Sequence, residues 1–443
     1  MYDVIVVGGG VAGCMAAVAS ARNGAKTLLI ERYGFLGGSL TNSGVGPMMT
    51  FHAGADQVVK GLAEELVQRL KARNASPGHI ADTIGYASSV TPFDAESLKV
   101  ILDEMVLESG CAILFHTMLA GAAVRQGRIT SVTVCNKSGL SELEARLFVD
   151  ATGDADLAFF AGVNCQKGRE ADGLAQPMTM NAKIGQVDMA AIRSYMKQHP
   201  SEFLVKDQPS LDTTARLSVS GFYTILSQAI AEGAITFDRD FVLFFETNNP
   251  CEVILNMTRV LRKDATHPEE LTQAELEGRR QVQQAVAFLK KRVPGFIAAV
   301  LLNTGTQIGI RESRRIKGSY CLRAEDLLSN REFPDRIARG GYPIDIHNPD
   351  GKTTDSIHLS TGASYGIPYR SLLNDQITNL AVAGRCISAD HEAAAAIRVT
   401  PIAMALGQAA GTAAAISIQT GQSLHRLDIG QLQARLVDQA AII

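Results

Sequence analysis

The chain has 443 residues, of which 46% are hydrophobic and 20% are charged, and its formal net charge is −3. This length is enough for two or three domains, and the ordinary balance of apolar and charged residues excludes a largely disordered chain. A net charge near zero gives no basic field that would attract nucleic acid, so we expect no nucleic-acid partner.

Seven cysteines are scattered along the chain, and no two of them form a C-x-x-C pair. This spacing disfavours a zinc site and a dithiol formed by neighbouring residues, so we expect no metal. Separate thiols in odd number are typical of a reducing compartment. The first residues, MYDVIVVGGG, lead into a predicted strand without a cationic, apolar leader, so we expect a cytoplasmic protein.

The first predicted unit, residues 2–31, combines two strands with a glycine-rich turn and is predicted to bind a nucleotide. YDVIVV is a β-branched apolar run typical of a buried strand, and KTLLIER is a second strand that ends at Glu31. Between them lie glycines in G-x-G-x-x-G spacing and a predicted helix. The glycines allow a tight turn, a close approach of pyrophosphate and close helix packing, and an acid at Glu31 can accept hydrogen bonds from ribose hydroxyls. The predicted phosphate-binding turn consists of Gly8, Gly10, Val11, Ala12 and Gly13.

FAD and NAD share this fingerprint, so the sequence after it has to distinguish them. RYGFLGGSLTNSG follows Glu31 at once, and its small residues allow the backbone to lie close to a cofactor. An NAD-dependent dehydrogenase needs no second glycine-rich turn at this place, and an ordinary surface loop is the alternative. The candidate cofactor contacts in this loop are Arg32, Gly37, Gly38 and Ser39.

Two later stretches repeat the pattern of a strand followed by a glycine turn. RLFVDATGDADLA covers residues 146–158, and QITNLAVAGRCISAD covers residues 376–390. Together with ERYGFLGG, IRESRRIKG and YGIPYRSL, they resemble the FAD-dependent oxidoreductase family of glutathione-reductase-like fold, distantly related to the fumarate reductase and succinate dehydrogenase flavoproteins. The resemblance covers most of the chain, weakly in the middle, and is closest to compact members.

The resemblance implies FAD as the cofactor and gives roles to these turns. The loop after Glu31 would run beside the pyrophosphate toward the isoalloxazine, and the turn at 151–154 would pass near the dinucleotide. An acid past Gly384 binds ribityl or pyrophosphate hydroxyls in the family, and Asp390 is the matching position here. The backbone around Thr117 would lie near the adenine. The cofactor contacts implied in this way are Met118, Ala151, Thr152, Gly153, Asp154, Gly384, Arg385 and Asp390.

The last long apolar stretch, residues 399–424, carries no charged side chain. Its length would allow a membrane span, but its many Ala, Gly and Gln residues favour a buried helix, so we expect no membrane span. Thr400 is predicted to cap this helix and Pro401 to lie in its first turn. In the similar flavoproteins such a helix directs its dipole at the flavin, so Pro401 and Ile402 are predicted cofactor contacts.

These features predict an α/β protein with a Rossmann-like FAD-binding domain of the glutathione-reductase type and an inserted α+β substrate or cap domain. The discontinuous FAD-binding domain would comprise residues 1–160 and 360–443. The cap domain would comprise residues 161–359.

The middle of the chain contains no second dinucleotide fingerprint. FVLFFETNNPCEVILNMTRV predicts a hairpin, and a capping box at Thr272 and Glu275 predicts the start of a helix that stops at Pro294. A disulfide reductase that takes electrons from NAD(P)H would need a nicotinamide domain and a dithiol, and this sequence shows neither. Electrons are therefore expected from the substrate itself or from a docking partner.

Flavin chemistry needs a positioned substrate and an acid or base beside the cofactor. His391, directly after Asp390, is a candidate general base, and a hydrogen bond to flavin or backbone is the alternative. Arg398 is a candidate anchor for a substrate carboxylate, with an ion pair to Glu392 as the alternative. His52, just past the glycine loop, is a third candidate to line the same cavity.

A dense charge run in GIRESRRIKG predicts either a solvated face or an inter-domain ion-pair network, with direct substrate binding as a further alternative. It comprises Arg311, Glu312, Arg314 and Arg315. Asn256 and Arg259 in ILNMTRV are candidates to reach the flavin from the cap, with ordinary sheet positions as the alternative.

The sequence therefore predicts an FAD-dependent dehydrogenase or oxidase that moves hydride from a small organic substrate to flavin N5. Alternatives are a reductase of an activated alkene and an electron-relay flavoprotein subunit of a redox complex. A thiazole-synthase-like protein starts with a similar glycine turn but is disfavoured by the length of the chain and by AGRCISAD. The expected partners are a small-molecule substrate and an unidentified electron acceptor, and homo-oligomerisation is plausible on general grounds.

Overall fold

The computed structural model describes residues 1–207, 209–351, 354–360 and 362–443. The α-helices of this part, α1–α12 in chain order, are Val11–Arg22, Leu62–Ala72, Ala95–Glu108, Asp156–Phe160, Met189–Gln198, Ser210–Thr213, Tyr223–Ala231, Pro268–Arg292, Ala324–Leu328, His391–Ile397, Thr400–Thr420 and Ile429–Asp438. Its strands, β1–β24, are Tyr2–Val7, Thr27–Ile30, Met48–Met49, His52–Ala53, Asp56–Gln57, Ile80–Ala81, Ser89–Thr91, Ala112–Leu114, Met118–Arg125, Arg128–Asn136, Gly139–Asp150, Cys165–Lys167, Ala182–Gly185, Phe203–Leu204, Ser218–Gly221, Val242–Glu246, Val253–Leu255, Val300–Thr304, Arg314–Ile316, Arg336–Gly340, Ile344–His347, Thr354–Ile357, Tyr365–Pro368 and Leu380–Val382.

A seven-stranded sheet forms the nucleotide-binding half of the molecule. Its order is β8-β2-β1-β11-β10-β9, and β24 pairs with β11 beside this path. β8, β2, β1, β24 and the end of β11 run parallel, whereas β9, β10 and β11 form an antiparallel meander. β2 is wholly buried, as a parallel strand covered on both faces must be. The predicted α/β class with a Rossmann-like parallel core is confirmed.

The carboxyl ends of four parallel strands meet at one edge of this sheet. Val7 lies opposite Ile30 and Asp150, and Asp150 lies opposite Val382. The segments that leave this edge are therefore the glycine turn after β1 and the loops after β2, β11 and β24. Open parallel sheets bind ligands in the crevice outside this edge.

α11 packs along α1 through small residues. A Cβ at Gly407 would lie 2.0 Å from the carbonyl oxygen of Ala12, and a Cβ at Gly411 would lie 2.1 Å from that of Ala16. The glycines therefore allow the two backbones to touch. By length and composition α11 could cross a membrane, but it is buried along almost its whole length, as the predicted core helix would be.

α11 begins one residue earlier than predicted. Val399 adopts the extended backbone of an N-cap, and Thr400 lies in the first turn without a capping side-chain bond. The predicted Thr400 cap is therefore wrong. Pro401 is tolerated at this place because first-turn amides have no intrahelical acceptor.

The middle of the chain forms a second hydrophobic core. Its buried residues run from Met178 to Ile308, around an antiparallel sheet of order β14-β15-β16-β17-β13-β18. The predicted hairpin is confirmed as β16 and β17. Buried residues from Ile316 to Ile344 pack instead with the core of the nucleotide-binding sheet. The predicted domain boundaries stay a prediction.

α8 begins before the predicted capping box. It starts at Pro268, and the Thr272 hydroxyl lies inside the helix, donating to the Pro268 carbonyl at 2.7 Å. The predicted start is wrong because a proline at the first position and two acids in the first turn already stabilise the earlier start. The helix ends at Arg292, before Pro294, as predicted.

Candidate active site

The glycine turn has the geometry that a phosphate-binding turn needs. Gly8 has a φ of 101°, and a Cβ at Gly13 would lie 1.8 Å from the Gly8 carbonyl oxygen. A Cβ at Gly10, in contrast, would meet only the Cα of Gly38, at 3.8 Å. Gly10 therefore leaves space at the start of α1, where Val11 begins the helix and no side chain caps it. An anion there can accept hydrogen bonds from the free amides of the first turn.

The loop after β2 packs directly on this turn. The amide of Gly37 donates to the Gly9 carbonyl at 2.9 Å, and a Cβ at Gly38 would lie 2.8 Å from the Cα of Gly10. Ser39 follows in a short 3₁₀ turn and accepts a 3.0 Å bond from a later amide of the same loop. An ordinary surface loop would not lie in such close backbone contact with the glycine turn.

Glu31 joins the two segments at the end of β2. Its carboxylate accepts hydrogen bonds from the Gly9 amide at 2.6 Å and the Tyr33 amide at 2.9 Å. Burial raises the pKa of Glu31, although these hydrogen bonds oppose the shift. Its contact with a ribose stays a prediction. The neighbouring Arg32 is exposed and donates to Gln307 of the second core region.

The turns after β11 and β24 meet each other at the same edge. Asp154 accepts hydrogen bonds from Arg385, at 2.7 Å, and from Ser313. A Cβ at Gly153 would lie 2.6 Å from a guanidinium nitrogen of Arg385. The Nε of Arg385 is buried and has no partner among the described residues. This edge of the sheet therefore contains a positively charged side chain, Arg385, whose Nε can still donate a hydrogen bond.

Asp390 has both carboxylate oxygens engaged. One accepts from the Ala393 amide at 2.7 Å and so caps α10, and the other accepts from the Ala324 amide at 3.1 Å. The pKa of Asp390 is raised by burial, although these two hydrogen bonds oppose the shift. A ribityl or pyrophosphate hydroxyl would have to share this carboxylate, and that contact stays a prediction.

The other predicted cofactor residues surround the same edge. Ala151 lies against Gly8, with its carbonyl oxygen 2.5 Å from a Cβ placed there. The Thr152 hydroxyl donates to Asp150 at 2.7 Å, so its side chain stabilises the turn itself. Met118, at the start of β9, is 55% exposed. The remaining positions are Ala12 in the first turn of α1, Gly384 in the turn after β24, and Pro401 and Ile402 in the first turn of α11.

His391 forms a buried pair with a carboxylate. Its Nδ1 lies 2.9 Å from Glu312, which also pairs with Arg315 and accepts from the Gln176 amide at 3.0 Å. Burial raises the pKa of Glu312, but the hydrogen bond with His391 and the charge of Arg315 outweigh it and hold the pKa below its ordinary value. An ionised Glu312 makes Nδ1 the donor and leaves Nε2 as an acceptor. This Nε2 is buried and has no partner within the described residues.

Arg398, at the end of α10, pairs with Asp345. The two lie 3.0 Å apart, and Asp345 also accepts from the hydroxyls of Tyr86, at 2.7 Å, and Tyr342, at 3.1 Å. The predicted alternative, a pair with Glu392, is wrong, because a helix brings together residues three or four apart and these two are farther apart. Burial opposes the ionisation of Asp345, but its charged and hydroxyl neighbours hold the pKa far below the usual range.

His52 belongs to a different polar group. Its Nδ1 lies 2.9 Å from the Ser89 hydroxyl, and its ring contacts that of His79 edge-on at 5.1 Å between centroids. Burial, followed by the charge of His79, lowers the pKa of His52. None of its described contacts is with His391 or Arg398, and its place in the same cavity stays a prediction.

The charge run is divided among three environments. Arg311 donates to the Pro177 carbonyl at 2.7 Å, Arg314 pairs with Asp156, and Arg315 pairs with Glu312. A network of ion pairs and hydrogen bonds therefore describes the run better than a solvated face, and its inter-domain character stays a prediction. Sequence analysis missed the residues that complete this region because they come from separate segments without a local motif. These residues are Tyr86, Gln176, Arg239, Tyr342, Asp345 and His347.

The space at Gly10, the free start of α1 and the unused donor of Arg385 fit an anionic dinucleotide. Comparison with known proteins agrees. The FAD dependent oxidoreductase family matches residues 3–436 of the chain. The predicted glutathione-reductase type and the relation to fumarate reductase stay predictions.

Individual relatives are distant. Thiamine thiazole synthase of Methanococcus aeolicus is 26% identical over 166 residues, which cover 35% of this chain and 57% of that protein. The same enzyme of Methanococcus vannielii is 26% identical over 162 residues, covering 34% and 56%. The chain thus matches little more than half of the length of these relatives. Among solved structures, p-nitrophenol 4-monooxygenase from Pseudomonas putida DLL-E4 has a TM-score of 0.51 at 10% identity, with 99% of this chain and 84% of that chain covered. This likeness shows the fold alone.

Proposed function

Because the chain belongs to the FAD dependent oxidoreductase family, with FAD as its cofactor, we propose that it is a dehydrogenase or oxidase of a small organic substrate. FAD supplies the two-electron redox chemistry when it is bound. The residues that would hold it are the glycine turn, the loop after β2, and the turns after β11 and β24.

The buried His391–Glu312 pair is the observation that supports this proposal. A dehydrogenase has to remove a proton as well as two electrons from its substrate. The free Nε2 of His391 accepts the proton that a substrate hydroxyl or amine releases, and Glu312 stabilises the imidazolium that forms. Glu312 also fixes the ring orientation, because Nδ1 is held at 2.9 Å.

The test is anaerobic reduction of the yellow holoprotein by panels of alcohols, hydroxy acids, amines and amino acids, followed by the flavin absorbance. We expect at least one class to bleach the flavin. His391→Gln is expected to slow this bleaching about 10²- to 10⁴-fold, the usual contribution of a general base. The same variant should keep its FAD and still be bleached by dithionite.

His425→Gln is the matched control. His425 is an exposed histidine that is also hydrogen-bonded through its ring, but its partner is the Asn374 carbonyl, at 2.8 Å. Its rate of bleaching should equal that of the unmodified protein. Bleaching by dithionite alone would favour the electron-relay alternative, and rapid bleaching by NAD(P)H would contradict the proposal that electrons come from the organic substrate.

A further inference from the structure

Four arginines from separate segments lie in one region of the molecule, and one of them, Arg311, directly precedes Glu312 in the chain. Arg311 is within electrostatic reach of the other three and of one acid, Asp345. Arg239 and Arg259 are only 4% and 3% exposed. We call this group the arginine cluster, and its members are Arg239, Arg259, Arg311 and Arg398.

The acid of this region is already occupied. Asp345 pairs with Arg398 at 3.0 Å and accepts hydrogen bonds from two tyrosine hydroxyls. His347, 3.4 Å from Asp345, adds no positive charge at neutral pH, because burial and the charge of Arg311 lower its pKa to about 3. Asp345 thus balances one guanidinium of the arginine cluster.

Within the described part of the chain, two members of the arginine cluster form hydrogen bonds only with neutral groups. Arg311 donates to the Pro177 carbonyl and the Thr179 hydroxyl, and Arg239 donates to main-chain carbonyls at 3.2 Å and 3.3 Å. Burial, together with a neighbouring guanidinium, lowers the pKa of each to about 9. The environment therefore opposes the positive charge that these side chains carry.

Acids outside the cluster offset part of this charge. Asp240 acts on both Arg239 and Arg259, and Asp238 and Asp355 act on Arg259. Asp238 and Asp355 are exposed to solvent, so their effect is screened. Around Arg311 itself, three guanidiniums face one carboxylate. Buried like charges of this kind are costly unless an anion binds between them.

The position of the cluster relates it to the proposed chemistry. Arg311 and Glu312 are neighbours in the chain. Gln176 contacts residues of both regions. Its backbone amide donates to Glu312 at 3.0 Å, and its side-chain oxygen accepts at 3.4 Å from the backbone amide of His347, the neighbour of Asp345. The Nε2 of Gln176 and the Nε of Arg398 are buried without a partner among the described residues. An anion bound by the cluster would therefore find unused donors.

We propose that the arginine cluster binds the carboxylate of the substrate, and that the substrate is a small organic acid. The statement that the bound acid is a substrate rests on the proposed function. The anion site itself is inferred from the burial and contacts of the arginine cluster. Planar guanidiniums form paired hydrogen bonds with carboxylates, which fixes the orientation of the acid as well as its affinity.

The test measures binding without turnover. The holoprotein is titrated with malonate and succinate, with their neutral diamides, and with inorganic phosphate, while the flavin spectrum and the melting temperature are followed. We expect the acids to raise the melting temperature increasingly as their concentration rises, and the diamides to leave it unchanged. Arg311→Gln should weaken acid binding about 10- to 100-fold, and Arg311→Lys should weaken it less, because lysine keeps the charge but loses the paired hydrogen bonds.

Arg280→Gln is the control, since Arg280 is an exposed arginine paired with Glu277 on α8. Equal binding of acids and diamides, binding of phosphate alone, or no binding at all would overturn the inference. If acids bind through Arg311 but no organic substrate bleaches the flavin, the anion site stands and the proposed dehydrogenase activity fails. If a substrate bleaches the flavin equally fast in Arg311→Gln, the activity stands and the inference fails.

Discussion

The cofactor edge and the arginine cluster are built in different ways. At the cofactor edge, backbone forms the site: glycines, a helix start and short turns that each follow directly from a strand end. In the arginine cluster, side chains form the site, and its members lie up to 159 positions apart, at Arg239 and Arg398. Local backbone geometry leaves a motif in the sequence, whereas a cluster assembled by tertiary packing does not.

The largest effect is expected within the glycine turn. Gly13→Ala would place a methyl group 1.8 Å from the Gly8 carbonyl oxygen, where only backbone movement can relieve the clash. We expect a loss of more than about 4 kcal/mol in the free energy of unfolding and protein without FAD. Urea unfolding and the ratio of flavin to protein absorbance measure both effects.

Gly10→Ala is the matched substitution, because its methyl group would approach described atoms no closer than 3.8 Å. The apoprotein should unfold within about 1 kcal/mol of the original, yet its affinity for FAD should fall. An FAD affinity in Gly10→Ala equal to that of the original protein would show that the turn contacts the cofactor in another way.

The next effect concerns the buried charges beside His391. Glu312→Gln leaves Arg315, whose side chain is 3% exposed, without its counter-charge. Removal of one partner of a buried ion pair costs about 3–5 kcal/mol, and we expect this loss in urea unfolding. Glu65→Gln is the surface control: it breaks ion pairs with Arg22 and Arg69, whose side chains are 35% and 29% exposed, and should cost about 1 kcal/mol or less.

A smaller effect is expected where the cofactor edge also depends on tertiary packing. Gly411→Ala would place a methyl group 2.1 Å from the Ala16 carbonyl oxygen and push α11 away from α1. Overpacking of this kind costs about 1–3 kcal/mol, which thermal unfolding can resolve. Unchanged stability would mean that the two helices separate without loss elsewhere.

The smallest effect concerns a partly exposed carboxylate, Glu64. Burial opposes its ionisation, but hydrogen bonds from His79, Gln68 and Gln57 lower its pKa to about 2. A carboxylate with a lowered pKa stabilises the folded state above its unfolded pKa, about 4.3, and this contribution is lost as the pH falls toward 2. With screening by solvent, we expect about 1 kcal/mol.

Glu64→Gln tests this sign. The difference in unfolding free energy between the original protein and the variant should be constant above about pH 5 and shrink toward pH 2. A difference that grows on acidification would contradict the assignment. The losses of unfolding free energy in Glu64→Gln and Glu312→Gln can then be compared. They give the contributions of a partly exposed and of a buried ion pair.

The sequence predicted the parts of the molecule that depend on near neighbours. The strand, glycine turn and helix of residues 2–22 and the hairpin of β16 and β17 are confirmed. The caps of α8 and α11 were misplaced by a few residues, because several residues near each start can serve as a cap. The predicted ion-pair partner of Arg398, Glu392, was wrong, because the actual partner, Asp345, is distant in sequence and only the fold brings it near.

The contact between α1 and α11 has one more consequence. Gly407 faces Ala12 and Gly411 faces Ala16, so the two helices run in the same direction in a fixed register. α1 begins at Val11 and α11 begins at Thr400, which at a rise of 1.5 Å per residue puts the start of α11 about 9 Å before the start of α1 along their common direction. The fold therefore presents two positive helix ends at a set separation, and a molecule that contacts both must carry its electron-rich groups at that spacing.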